Sequence, residues 1–375
     1  MNETIERYIL ELIRRSTPRR TAWNMEKIRE GTDVSWNYID GCMLTALLAM
    51  SEITGDDRYA AFVEEVADSF VREDGSIDTF RPEKHALDDY NEGRILFPMY
   101  MRTENEKYRK AAEMLYRSLG EQPRTAEGNF WHKEIYPNQV WLDGTYMALP
   151  FAAMFENSFG KGEIRDIMAQ MRNVRQKMRD PKTGLYYHGY DASRKAFWAD
   201  PETGLSRNFW LRSIGWFTLA LVETAQATDE TLYFEKRYFQ KLLENLIDAL
   251  IPYQDESGMF YQVVNRADAQ GNYLETSGTA LIAYAILKAV RLGFLMPRYR
   301  VIGEKAFQGI ADKYLSKNED GTLKLSGICL VAGLGGKTHR DGSLEYYLSE
   351  PVVENEAKGV APFLLAYTEM LRIEK

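Results

Sequence analysis

Six runs along the chain set a helix-opening glycine beside or near a carboxylate or hydroxyl residue able to handle protons or sugars: Asp40-Gly41, Glu92-Gly93, Asp143-Gly144, Ile214-Gly215, Ser277-Gly278 and Lys358-Gly359. An aspartate just ahead of a helix is an N-cap or, where the helix end lines a cleft, a proton donor or acceptor. From position alone Asp143 admits both readings, and so does Asp40, as cap or substrate contact. Aromatic residues crowd the same stretches, among them Trp36, Tyr38, Trp131, Trp141, Tyr146, Trp210 and Trp216. Sugar rings offer apolar C–H faces and polar edges, so aromatics mixed with carboxylates suit a carbohydrate site. The plainer reading is that these rings fill a large core.

The six glycines stand 51–81 residues apart, a repeat longer than the short solenoid periods. Each opens an apolar, small-residue stretch. Between them lie amphipathic segments with apolar residues at three- and four-residue spacing: Ile5 to Ile13, Tyr59 to Val71, Tyr108 to Leu119, Ile164 to Met178, Tyr233 to Leu250 and Tyr299 to Tyr314. Helices apolar nearly all round belong inside, and those with a charged face outside. Six of each predict an all-α fold, an (α/α)6 barrel formed by residues 1–375 as one domain. Three glycine-led runs, Gly184 to Tyr187, Gly258 to Tyr261 and Gly321 to Leu325, predict short β-hairpins in the connections. The loops feeding the inner helices then converge at one end, where unpaired N–H groups favour anions.

The 375 residues carry a net charge of −8 and no basic cluster, which argues against nucleic acid. Cys42 and Cys329 sit in no CxxC, so no metal site is expected and both read as small buried hydrophobes. The N-terminus is acidic and amphipathic, and no apolar stretch reaches membrane-spanning length, so the expected compartment is the cytoplasm and no membrane partner is expected. Ala332-Gly333-Leu334-Gly335-Gly336 lacks the Lys-Ser/Thr of a phosphate loop and reads as a mobile loop, a candidate rim of the cleft.

Several motifs together resemble the unsaturated rhamnogalacturonyl hydrolases of glycoside hydrolase family 105. They are Trp36-Asn37-Tyr38-Ile39-Asp40-Gly41, Asp88-Asp89-Tyr90, Trp131-His132-Lys133, Trp141 to Met147, Gly184 to Asp191 and Trp210 to Trp216. The resemblance implies hydration rather than attack at the anomeric carbon. An acid protonates C4 of a terminal 4,5-unsaturated uronic acid, positive character develops at C5 and the ring oxygen, water adds at C5, and the hemiketal opens to release the next sugar. It assigns Asp143 as general acid and then base, the acid form favoured by burial among Trp141, Trp131 and Tyr146. Asp88 would hold water or a sugar hydroxyl and, by like-charge repulsion, keep Asp143 protonated. Arg212 would fork onto the uronate carboxylate. Lys133, His132 and His188 would supply further donors, Trp141 and Trp216 would be stacking platforms, and Tyr38, Asp40 and Gly41 would line the site. The partner is a small oligosaccharide, and no cofactor is implied.

Four other readings stay open. The related unsaturated glucuronyl hydrolases of family 88 act on glycosaminoglycan fragments, and sulfated substrates would want more cations than Lys133 and Arg212. An inverting glycosidase would set Asp88 and Asp143 about 6.5–9.5 Å apart. An epimerase would use a histidine pair such as His188 and His339; otherwise His339, like His85, reads as structural. A non-catalytic sugar- or protein-binding toroid would need the aromatics without the acid.

Overall fold

The structure, a computed structural model, describes residues 2–374. Its helices run in the order α1 (Asn2–Arg14), α2 (Met25–Glu30), α3 (Tyr38–Thr54), α4 (Asp57–Phe70), α5 (Leu96–Thr103), α6 (Glu106–Gly120), α7 (Leu142–Ser158), α8 (Arg165–Met178), α9 (Leu211–Ala227), α10 (Tyr233–Leu250), α11 (Thr276–Arg291), α12 (Arg300–Tyr314), α13 (Leu344–Ser349) and α14 (Ala357–Glu374). The inner helices form a closed ring. α3 packs on the 91–95 turn, that turn on α7, α7 on α9, α9 on α11, α11 on α14, and α14 again on α3. α4, α6, α8, α10 and α12 each back an inner neighbour, and α1 closes the outer layer, its Glu6 accepting from Tyr367 Oη at 3.3 Å. This is the expected (α/α)6 barrel. The layers follow composition: α9 and α11 are buried along nearly their whole length, whereas α8 buries only residues such as Ile167, Met171 and Val174 and leaves its charges in water.

The glycines do not open their helices; they sit inside the first turns, where neighbouring inner helices touch. A Cβ on Gly41 would lie 2.6 Å from Glu92 Cα, and one on Gly278 would lie 2.4 Å from Leu211 Cγ. Close approach, rather than a turn, selects glycine at these positions.

The second inner element departs from the pattern. Residues Asn91–Ile95 form a 3-10 turn and α5 starts only at Leu96. Pro98 has no N–H to donate to the Arg94 carbonyl, but a proline alone does not break the ladder here, since α7 and α14 run as α-helices through Gly144 and Gly359 with Pro150 and Pro362 inside them.

The strands are short. β1 (Gln139–Trp141) pairs with β2 (Gly189–Asp191), β3 (Leu315–Lys317) with β4 (Leu323–Leu325), and β5 (Ile328–Cys329) with β6 (Val352–Val353), all antiparallel. The hairpin expected around Gly321 is β3–β4. The other two expected hairpins reduce to single bridges, Arg179↔Tyr186 and Tyr261↔Leu274; pairing instead ties one connection to the next, as in β1–β2. No described helix is long and apolar enough to cross a membrane. Both cysteines are free and buried.

Candidate active site

Five carboxylates stand at or just before the starts of inner elements, and their hydrogen bonds separate them. Asp40 accepts from Thr21 Oγ1 at 2.7 Å, Trp23 Nε1 at 2.9 Å and Asn24 Nδ2 at 2.6 Å. It therefore anchors the N-terminal segment; Asn37, not Asp40, caps α3. Glu275 caps α11 through Gly278 N and also accepts from Cys329 N and Ser277 Oγ. Glu356 accepts from Met25 N and pairs with Lys358 at 2.8 Å. Glu92 accepts from Asn37 N, keeps one oxygen unpartnered, and is fully buried, which with nearby Asp40 raises its carboxyl well above the usual range.

Asp143 is the exception that still reaches solvent. The N-cap position of α7 is Trp141, without a side-chain cap, so the cap reading of Asp143 does not hold. Its Oδ2 has no hydrogen-bond partner among the described residues, although His188 Nε2 lies 3.2 Å away, in ion-pair range but out of line for a hydrogen bond.

Strand pairing makes this meeting. With Trp141 opposite Gly189, Leu142 N donates to the His188 carbonyl at 3.0 Å, which sets the His188 ring beside the first turn of α7. On the other flank Gly144 admits His132: a Cβ there would be 3.1 Å from His132 Nδ1 and 2.9 Å from Leu87.

Asp88 lies in a 3-10 turn, Leu87–Asp89. Lys133 Nζ is 2.5 Å from its Oδ2, and His132 Nε2 is 3.7 Å from its Oδ1. Burial pushes Asp88 upward, but Lys133 and His132 prevail and hold it below the ordinary carboxylate range, hence ionised. Burial pushes His132 down to about 4 against the pull of Asp88, so it is a neutral imidazole. Asp89 goes the other way: burial, then repulsion from Asp88, raise it to about 6, although Asn37 Nδ2 donates to it at 3.1 Å. Asp89, a carboxyl raised toward neutrality, is thus one the sequence did not single out as a site residue. Asp88, Asp89 and Lys133 line a cleft of about 860 Å³ with Trp36, Arg81 and Lys84.

Several expected contacts prove to be internal. His188 is 0% exposed, its Nδ1 2.7 Å from Tyr347 Oη, so it serves Asp143 from behind rather than facing a ligand. Arg212 is 1% exposed, and its guanidinium donates to Ser277 Oγ and to the carbonyls of Cys329 and Leu330, which occupies the fork meant for a uronate. Gly41 packs against Glu92. Trp141 stacks with His132 and Tyr136 at 4.4 and 4.9 Å, and Trp216 with Tyr146 at 5.0 Å. Both indoles are almost fully buried walls, not open platforms. Tyr38, half-buried and edge-on to Trp216, keeps exposed surface. His339 is exposed against Phe197, remote from the buried partners of His188, so no histidine pair forms.

The glycine-rich loop, expected as a rim, does not line the cleft beside Asp88; it packs at the start of α7. Leu334 packs on Trp141 and Trp198, and Arg340 Nη2 donates to Tyr136 Oη at 2.9 Å. Tyr347 and Arg340 were not legible in advance, since their partners lie 159 and 204 residues away. Among the described residues no cluster of His, Cys, Asp or Glu could hold a metal ion.

A partly exposed carboxylate whose Oδ2 has no hydrogen-bonded protein donor, near a second that is kept ionised, is the equipment of a glycoside hydrolase. The chain belongs to Glycosyl Hydrolase Family 88: the family model matches residues 12–374. Among solved structures it is similar to a family 105 glycoside hydrolase of C. acetobutylicum, at 38% identity and a TM-score of 0.90 over 98% of both chains. It is 36% identical to Protein Atu3128 of Agrobacterium fabrum over 236 residues, 61% of this chain and 100% of that one. It is 26% identical to the unsaturated rhamnogalacturonyl hydrolase YesR of Bacillus subtilis over 298 residues, 78% of this chain and 79% of that one.

Proposed function

We propose that the enzyme hydrates the C4=C5 bond of a terminal unsaturated galacturonic acid on short rhamnogalacturonan fragments, releasing that residue. The observation that carries this reading is Asp143, a partly exposed inner-helix carboxylate whose buried Oδ2 faces His188 and has no hydrogen-bonded protein donor. Asp143 protonates C4; charge develops at C5 and the ring oxygen; the resulting carboxylate then accepts a proton from the water that adds at C5. One group serves both half-steps because the proton it gives to C4 is replaced by the one it takes from the water. Asp88 stays ionised beside Lys133 and orients the water or a sugar hydroxyl, while Lys133, the half-buried cation of the pair, meets the uronate carboxylate. His132 donates as a neutral imidazole. Tyr38 offers the ring its open aromatic edge.

Pectin fragments are favoured over sulfated glycosaminoglycan fragments because one relative is named for rhamnogalacturonan. The test is loss of the ultraviolet absorbance of the conjugated double bond, on unsaturated rhamnogalacturonan disaccharide and on unsaturated chondroitin disaccharide. Decay on the first alone supports the reading. Decay on the second alone overturns the substrate, and no decay on either with turnover of saturated glycosides overturns the hydration chemistry.

A further inference from the structure

Behind Asp143 the structure holds a buried chain of three side chains. Tyr347 Oη is 2.7 Å from His188 Nδ1, and His188 Nε2 is 3.2 Å from Asp143 Oδ2. Tyr347 and His188 are both 0% exposed. Tyr347 comes from α13, on the long connection before the last inner helix, and is fixed independently of Asp143. Its ring stacks on Trp210 at 5.9 Å, and its carbonyl accepts from Gln262 Nε2, whose Oε1 in turn accepts from Trp210 Nε1.

The donors and acceptors can be worked out. An ionised carboxylate only accepts, so the imidazole nitrogen facing Asp143 must carry a hydrogen. A neutral ring with hydrogen on Nε2 leaves a lone pair on Nδ1, and the group there must then donate. The Tyr347 hydroxyl does so. We propose that Tyr347 is a positioning residue: it locks His188 with hydrogen on Nε2, directs that N–H at Asp143 Oδ2, and so leaves Oδ1 as the oxygen that carries the catalytic proton. This rests on Asp143 being the acid and base of the reaction. The poor alignment of the 3.2 Å contact is ordinary for a site without substrate, where such bonds tighten on binding. Without the hydroxyl, His188 would be free to take the other tautomer, present a lone pair to Asp143, and draw the proton to Oδ2, on the wrong side for C4.

The test uses full-length protein labelled with ¹⁵N-histidine, the His188 signals being assigned by their loss in His188→Gln. Nitrogen shifts read the tautomer without substrate, so this arm stands even if the proposed reaction fails. The wild type is expected to show hydrogen on Nε2. Tyr347→Phe, which keeps the ring in its stack, is expected to mix the tautomers and to lower kcat about tenfold to a hundredfold with KM little changed. Hydrogen on Nδ1 in the wild type overturns the proposal. So does an unchanged tautomer in Tyr347→Phe whatever its rate, and so does an altered tautomer with unchanged kcat.

Discussion

The barrel has two mouths, and each opens on a cavity lined by charge. At the mouth where the inner helices begin lie Asp143, Asp88 and the cleft of about 860 Å³. At the other, ringed by the C-terminal halves of the inner helices, lies a cavity of about 570 Å³ with Arg94, Glu223, Lys288, Arg291, Glu369 and Arg372 in its wall. The second is well shaped, yet each of its carboxylates is already answered. Glu223 takes Lys288 at 2.6 Å, Arg94 at 2.8 Å and the Tyr284 hydroxyl at 2.7 Å, and Glu369 takes Arg291 through both oxygens. Burial would raise Glu223, but Lys288 and Arg94 outweigh it and hold it down at about 2. Cations also complement the partial negative charge where helices end. What separates a site from a braced end is therefore an acid left without a partner, and volume alone does not tell them apart.

The sharpest break of this comparison is a pair of isosteric changes, one at each mouth. Asp143→Asn is expected to lower kcat by about 10²–10⁴-fold, the range of a lost general acid–base, with its melting curve little moved, since the donor that faces it, His188 Nε2, is out of line for a hydrogen bond. Glu223→Gln should do the reverse: kcat close to wild type, and a loss of about 3–5 kcal/mol of stability, because Arg94 and Lys288 are left buried without their counter-charge. Denaturant unfolding and initial rates on the same two preparations decide it. A stability loss in the first, or a rate loss in the second, would erase the distinction between the mouths.

A smaller change probes the near mouth alone. In Lys133→Met, Asp88 loses its 2.5 Å partner and the uronate its cation. KM is expected to rise about tenfold, one charge-assisted hydrogen bond of roughly 1.4 kcal/mol, with a lesser fall in kcat. Equal KM in the variant and the wild type would remove Lys133 from substrate binding.

The same division explains what could be read from sequence. Helical periodicity is a local property, so inner and outer layers were legible, with boundaries within a turn. The 3-10 start at Asn91 was not, and Pro98 does not account for it, since α7 and α14 carry Pro150 and Pro362 inside regular helix. Among candidate site residues, Asp88 meets His132 and Lys133, and His132 in turn lies against Gly144, within reach of the charge of Asp143. Asp40, Gly41 and Arg212 carry the same helix-start signature but turn to Thr21, Glu92 and Cys329. A repeat marks every helix start equally, and only tertiary partners decide which of them is occupied. Tyr347 is the converse case: nothing in its neighbourhood of sequence points to His188, and the contact exists because the last connection folds back over the mouth.

The smallest expected effect is a pH dependence, and it differs between the mouths. Asp89 is raised from 3.8 to about 6, so across that window the folded chain holds a proton the unfolded chain has released, and stability falls as pH rises. His132 is lowered from 6.5 to about 4, so across its window the unfolded chain binds the extra proton, and stability rises with pH. Each effect is on the order of 2–3 kcal/mol at most, and being opposed over nearly the same range they offset each other. Glu223, lowered from 4.5 to about 2, contributes stability that is complete above the first value and lost only as pH falls toward the second, so the far mouth is silent where the near one titrates. The joint contribution of Asp89 and His132 should accordingly be nearly flat between about pH 4.5 and 6, beneath the fall that the raised Glu92 carboxyl adds. Asp89→Asn keeps an acceptor for Asn37 and removes one slope, so its stability relative to the wild type should climb by on the order of 2 kcal/mol over the same interval, the uncovered contribution of His132. Superimposable curves would mean that Asp89 does not hold its proton in the fold, and that repulsion from Asp88 is absorbed by Lys133 before it reaches the neighbouring carboxyl.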